Sequence, residues 1–95
     1  MRLDQSSWME VRERLKQPQG IIISTGSTEQ HGPIGLIGTD TICSDLIATK
    51  VAEKTGMFVA PAIGFTPAEF NMNFPGTISI SEQTFKSLLN EVISS

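Results

Sequence analysis

Apolar positions change period along the chain, and the changes mark out its elements. Trp8, Val11 and Leu15 recur at helical spacing behind Ser7-Trp8-Met9-Glu10, which has the form of a capping box. A helix with one buried stripe is therefore predicted over about residues 7–17, stopped by Pro18, Gln19 and Gly20. Ile21 to Ile23 is β-branched and continuously apolar, as in a strand buried on both faces. A loop from Thr25 to Thr39 leads into a second helix, which Thr39 or Asp40 can cap. Ile42, Leu46, Ile47 and Val51 supply the apolar face of that helix, and Gly56 is placed to end it in the left-handed conformation. Met57 to Ala60 reads as a second strand, so strand, helix and strand together predict a crossover unit with parallel strands. A long connection, Pro61 to Gly76, carries Phe65, Phe70, Met72 and Phe74, for which core packing is the ordinary expectation. Thr77 to Ile80 is a short extended piece. Ser81 then caps a third helix whose Phe85, Leu88, Leu89, Val92 and Ile93 form the clearest stripe in the chain.

The pattern predicts an α/β chain with a mainly parallel sheet, in one domain spanning residues 1–95. Two parallel strands are few for a stable sheet, and such sheets normally have both faces covered. The expectation is thus that residues 1–95 form the N-terminal portion of a larger α/β domain, with a short form that relies on association as the alternative. Composition narrows the function classes. With 39% apolar residues the chain has the make-up of a globular protein. A net charge of −3 argues against nucleic acid as a partner. No run approaches the ~18 apolar residues of a membrane span. Cys43 is the single cysteine and cannot form an intrachain disulfide, and no signal peptide is visible. A cytoplasmic protein without membrane attachment is expected.

Chemistry concentrates between Ser24 and Asp40, where Glu29, Asp40 and His31, the one histidine, lie among Gly26, Gly32, Pro33, Gly35 and Gly38. No Lys or Arg occurs from residue 17 to residue 49, which favours a cation over an anion in this stretch. Glu29 and His31 are two residues apart and share a face in extended chain, while the glycines allow Asp40 to approach. Carboxylates with an imidazole suit Zn²⁺, Mn²⁺ or Fe²⁺ better than Ca²⁺. The plain readings stand beside this one: Asp40 as a helix cap, Glu29 as a solvated carboxylate, His31 as a turn residue. Gly32, Gly35 and Gly38 match neither the dinucleotide nor the P-loop spacing. Glu69 and Asn71, in the long connection, are candidates to line a substrate mouth, or are solvated loop residues. Cys43 reads as a small residue on the buried side of its helix start.

The run Gly26-Ser27-Thr28-Glu29-Gln30-His31-Gly32-Pro33, followed by Gly38-Thr39-Asp40-Thr41, resembles the creatininase (creatinine amidohydrolase) family. Phe74-Pro75-Gly76-Thr77-Ile78-Ser79 resembles that family's next signature block. Ile34 stands where the family often has a second histidine. The resemblance implies a three-layer α/β/α fold of which only the N-terminal part is present. It also implies a site for two divalent ions, Zn²⁺ or Mn²⁺, in which Glu29 and His31 are terminal ligands on different ions and Asp40 bridges them. The implied reaction is hydrolysis of a C–N bond in a small cyclic or linear amide. Homo-oligomers, often hexamers, are the implied assembly, and the family's further His and Glu ligands lie beyond the stretch that the resemblance covers. The alternative expectation is a non-catalytic relative that acts by assembling through exposed apolar surface.

Overall fold

The computed structural model describes all residues from Met1 to Ser95. Its elements in chain order are α1 (Trp8–Arg14), β1 (Ile21–Ile22), α2 (Thr39–Thr55), β2 (Phe58–Val59) and α3 (Glu82–Ser94), with 3-10 turns at Leu3–Gln5 and Glu69–Asn71. β1 and β2 pair in parallel, Ile21 opposite Phe58 and Ile22 opposite Val59, so α2 is the crossover between them. Pairing continues beyond β1 in a parallel bridge between Thr25 and Ile63 and an antiparallel one between Thr28 and Ile78. The N-terminus adds a third extended segment. Arg2 bridges in parallel to Val59, and the Val59 N–H donates to the Met1 carbonyl at 2.9 Å. Nothing in the apolar pattern predicted this, because Met1 and Arg2 pair through backbone alone. The Arg2 guanidinium then reaches both oxygens of Asp45 on α2, at 3.0 and 3.1 Å.

Several predicted boundaries hold for local reasons. The capping box of α1 is complete: Ser7 Oγ accepts from the Glu10 N–H, and the Glu10 carboxylate accepts from the Ser7 N–H at 2.7 Å. Gly56 ends α2 at φ 75°, its N–H donating to the Ala52 carbonyl. Ser81 caps α3 by accepting from the Thr84 N–H at 3.0 Å.

Other expectations are corrected. α1 ends at Arg14, three residues earlier than predicted, and its stripe is not buried: Trp8 is 68% exposed and lies beneath Arg12, 4.7 Å from the ring centroid. Ile21 is exposed and Ile22 half-buried, whereas both residues of β2 are buried, so β2 rather than β1 is the inner strand. Gly38 occupies the cap position of α2, not Thr39 or Asp40, whose side chains turn elsewhere. The buried face of α2 is Ala48 and Ala52, packed with Val59 and backed by Ile22, while Ile42, Leu46, Ile47 and Val51 point outward. Two alanines one turn apart let the helix lie close on the strand, and the branched side chains are left on its flanks. Cys43 is exposed. So are Phe65, Phe70, Met72 and Phe74, contrary to the core role expected of them. The α3 stripe is half-buried at Phe85, Leu88, Leu89 and Val92, with Ile93 exposed. No helix is long and apolar enough to cross a membrane.

Candidate metal centre

The segment after β1 is pinned on both sides before it reaches the site. The Gly26 N–H donates to Ile63 O at 2.8 Å, and the Gly26 carbonyl accepts from Thr66 Oγ1 at 2.8 Å. Thr41 Oγ1, in the first turn of α2, donates to Ser27 O at 3.0 Å, which fastens the loop to the start of the helix. Gly26 is a glycine of close approach, since a Cβ there would run into the Thr41 backbone. Thr28 is held through its carbonyl by the Ile78 N–H and through its hydroxyl, which donates to Gly64 O, both at 2.8 Å. The loop closes where the Glu29 N–H meets Ile37 O at 3.1 Å. Within it Gly35 packs directly on the His31 carbonyl, a position that no side chain could share.

This frame brings His31 and Asp40 together. His31 Nε2 lies 3.2 Å from Asp40 Oδ1, and His31 Nδ1 lies 2.9 Å from the Glu29 carbonyl. A carbonyl only accepts, so Nδ1 carries the proton and donates it. Nε2 of a neutral ring would then turn its lone pair toward a carboxylate, which also only accepts. Two acceptors at that distance need a cation between them, either a proton or a metal ion. A proton serves when the imidazole is charged. The His31 pKa is raised above its ordinary value, chiefly by the hydrogen bond to the Glu29 carbonyl; burial opposes the shift, and the charge of Asp40 and its hydrogen bond add to it.

The same donor set suits a divalent ion. An imidazole that gives its far N–H to a backbone carbonyl has the usual arrangement of a metal-ligating histidine. Ligands at ~2.0–2.2 Å from one ion stand roughly 3–3.4 Å from each other, the spacing seen here. Glu29 does not complete this pair: no three side chains among His, Cys, Asp and Glu gather at one point. The Glu29 carboxylate is drawn instead to Asn71, whose Nδ2 donates to Oε2 at 2.7 Å.

Beside His31 opens a cleft of about 360 Å³, walled by Ile37, Phe74 and Pro75 and floored by Gly32, Pro33 and Gly35. Both signature blocks of the sequence therefore meet at one place. Asn71 joins the site through Glu29, whereas Glu69 is exposed and lines a separate depression with Met72, Ser79 and Ser81. Gln30 and Thr77 escaped the sequence reading. The Gln30 N–H donates to Thr77 Oγ1 at 3.0 Å, and its amide nitrogen donates to Asn71 Oδ1 at 2.9 Å. Their place inside the two motifs was the available signal.

The profile of the creatinine amidohydrolase family matches residues 4–95. The chain belongs to the creatininase family. It is 43% identical over 86 residues to 3-dehydro-scyllo-inosose hydrolase of Thermotoga maritima, an alignment covering 88% of this chain and 27% of that one. It is 35% identical over 77 residues to the mycofactocin precursor peptide peptidase of Mycolicibacterium smegmatis, covering 75% and 31% respectively. Among solved structures, a creatininase superposes with TM-score 0.89 at 22% identity, over 97% of this chain and 38% of that one. A manganese creatininase superposes at 0.88, and a Zn–Zn mutant form at 0.87. The chain thus spans about a third of the length of the relatives it matches, and its α/β architecture is that of part of the creatininase fold. These relatives are hydrolases by name, and divalent metals occur in the solved creatininases.

Proposed function

We propose that this chain supplies part of the metal site of a creatininase-type amidohydrolase, which hydrolyses a C–N bond in a small cyclic or linear amide. The observation that carries the reading is the pair of acceptors, His31 Nε2 and Asp40 Oδ1, 3.2 Å apart beside a cleft. His31 and Asp40 would hold one divalent ion, Zn²⁺ or Mn²⁺. Asp40 and Glu29 would contribute carboxylate ligands to a second such ion. Such ions polarise an amide carbonyl and acidify water. The chain's own residues do the rest: the Glu29 carbonyl fixes the imidazole, and Ile37, Phe74 and Pro75 give the cleft an apolar wall for the substrate. The two curated relatives carry an inosose and a precursor peptide in their names, so the family leaves the substrate open. An assay panel of creatinine, 3-dehydro-scyllo-inosose and short peptides addresses it.

Metal analysis of the purified protein beside an Asp40→Ala variant tests the reading. The expected result is bound Zn²⁺ or Mn²⁺ in the parent and its loss in the variant. Equal metal content in the two would overturn the assignment.

A second reading is favoured by the surface. The accessible area is 6619 Å², against roughly 5,400 Å² for a folded monomer of 10.3 kDa. We propose that copies of the chain associate through the outward apolar face of α2, which would make an oligomer the working unit. The exposed thiol of Cys43 agrees with a reducing cytoplasm as the setting.

A further inference from the structure

We infer that Asn71 and Gln30 are positioning residues for Glu29, forming a hydrogen-bond relay that presents a single carboxylate oxygen to the metal site. The relay runs over three bonds. The Gly32 N–H donates to Gln30 Oε1 at 2.9 Å, Gln30 Nε2 donates to Asn71 Oδ1 at 2.9 Å, and Asn71 Nδ2 donates to Glu29 Oε2 at 2.7 Å.

Its direction follows from its two ends. A backbone N–H can only donate, so the Gln30 oxygen must face Gly32, and the Gln30 amino group then faces Asn71. Asn71 must in turn offer its oxygen to Gln30 and its amino group to Glu29. At the far end an ionised carboxylate can only accept, so both ends demand the same polarity. Neither amide can flip without setting two acceptors or two donors against each other. The relay is also anchored across the fold. The Gln30 N–H bonds the buried Thr77 hydroxyl, and the Asn71 N–H closes its 3-10 turn on Ala68 O at 3.1 Å.

Two consequences follow. With its amino group on Glu29 and its oxygen on Gln30, Asn71 is engaged at both ends of its amide, so it acts through Glu29 and not as the substrate contact expected from sequence. Glu29 Oε2 is engaged by Asn71, and no protein hydrogen bond reaches Oε1. That oxygen is the one left to ligate.

The inference rests on the metal-site reading, and the test separates the two. Mn²⁺ affinity is measured on the full chain and on Asn71→Ala, Glu29→Gln, their double variant, Gln30→Glu and Asp40→Ala. Asn71→Ala is expected to weaken Mn²⁺ binding by about 10- to 100-fold, as loss of an outer partner of a ligand does. The double variant should bind no more weakly than Glu29→Gln alone, whereas additive losses would show that Asn71 acts on stability at large. Gln30→Glu is isosteric and touches no carboxylate, yet it reverses the demand on Asn71 and should weaken binding in the same way. Unchanged affinity in Asn71→Ala, with binding lost in Asp40→Ala, overturns the relay and leaves the metal reading intact. The side-chain amide signals in ¹⁵N NMR of the metal-free protein give a readout independent of metal. Glu29→Gln should shift the amide signals of both Asn71 and Gln30, and an unmoved Gln30 signal overturns the relay even where Asp40→Ala retains metal.

Discussion

At the scale of single residues, the decisive event is the commitment of His31 Nδ1 to the Glu29 carbonyl. It leaves Nε2 facing Asp40, and it turns a loop histidine into half of a cation site. In the metal-free protein His31 should therefore titrate above its ordinary value of 6.5. Because the folded value is the higher one, the contribution of this contact to stability is complete below the unfolded pKa. It disappears as pH rises through the folded value. NMR titration of EDTA-treated protein checks this. Asp40→Asn should lower the value only in part, because the Glu29 carbonyl is the larger cause. His31, Asp40 and Glu29 were legible in sequence as residues of the right chemistry between glycines. Which of them meet was not legible. Glu29 and His31 share a face in extended chain, but the Glu29 carboxylate is held by Asn71, 42 residues on from it, while His31 meets Asp40.

At the scale of elements, local signals were read well and packing poorly. The Ser7–Glu10 capping box was visible in four consecutive letters and is complete in the structure. Ser7→Ala should cost about 1 kcal/mol by urea denaturation. The Glu10 carboxylate is held below its ordinary value of 4.5 by the Ser7 N–H and then the Ser7 hydroxyl. A lowered folded pKa gives stability that is present above the unfolded value and is lost as pH falls through the folded one. Glu10→Gln should accordingly flatten that part of the acid limb in a pH series of denaturation curves. α2 shows the opposite case. Its four large apolar residues suggested the buried face, yet Ala48 and Ala52 occupy it against Val59. Ala52→Leu should destabilise by about 1–3 kcal/mol through overpacking. Ile47→Gln, at a position 64% exposed, should change monomer stability by less than about 0.5 kcal/mol. Urea midpoints of the two variants decide which face holds the core.

At the scale of the whole molecule, the chain is extended for its length. Its radius of gyration is 15.3 Å, against about 12 Å for a compact domain of this size. Val59 has the one large side chain that is fully buried. The excess surface, about 1,200 Å² over a folded monomer, exceeds the ~800 Å² that each partner contributes to a standard interface. Light scattering across a concentration series should show mass above 10.3 kDa, and Ile47→Glu should reduce it. A single 10.3 kDa species at every concentration would refute association through this face. The surface also shows why apolar periodicity overstated the core. A stripe tells which face of a helix is apolar, and here much of that apolar face is exposed.

The sequence by itself determined the α/β class, the parallel pairing around α2, the caps at Ser7, Gly56 and Ser81, and the two motifs that carry family membership. Each depends on residues close along the chain, where backbone geometry and side-chain type suffice. Only the tertiary structure decided that β2 is the inner strand and that Met1 and Arg2 extend its sheet. It alone set Ala48 and Ala52 inside, tied Glu29 to Asn71, and left His31 to face Asp40. Those outcomes depend on which segments, distant in sequence, compete for the same space and the same hydrogen bonds.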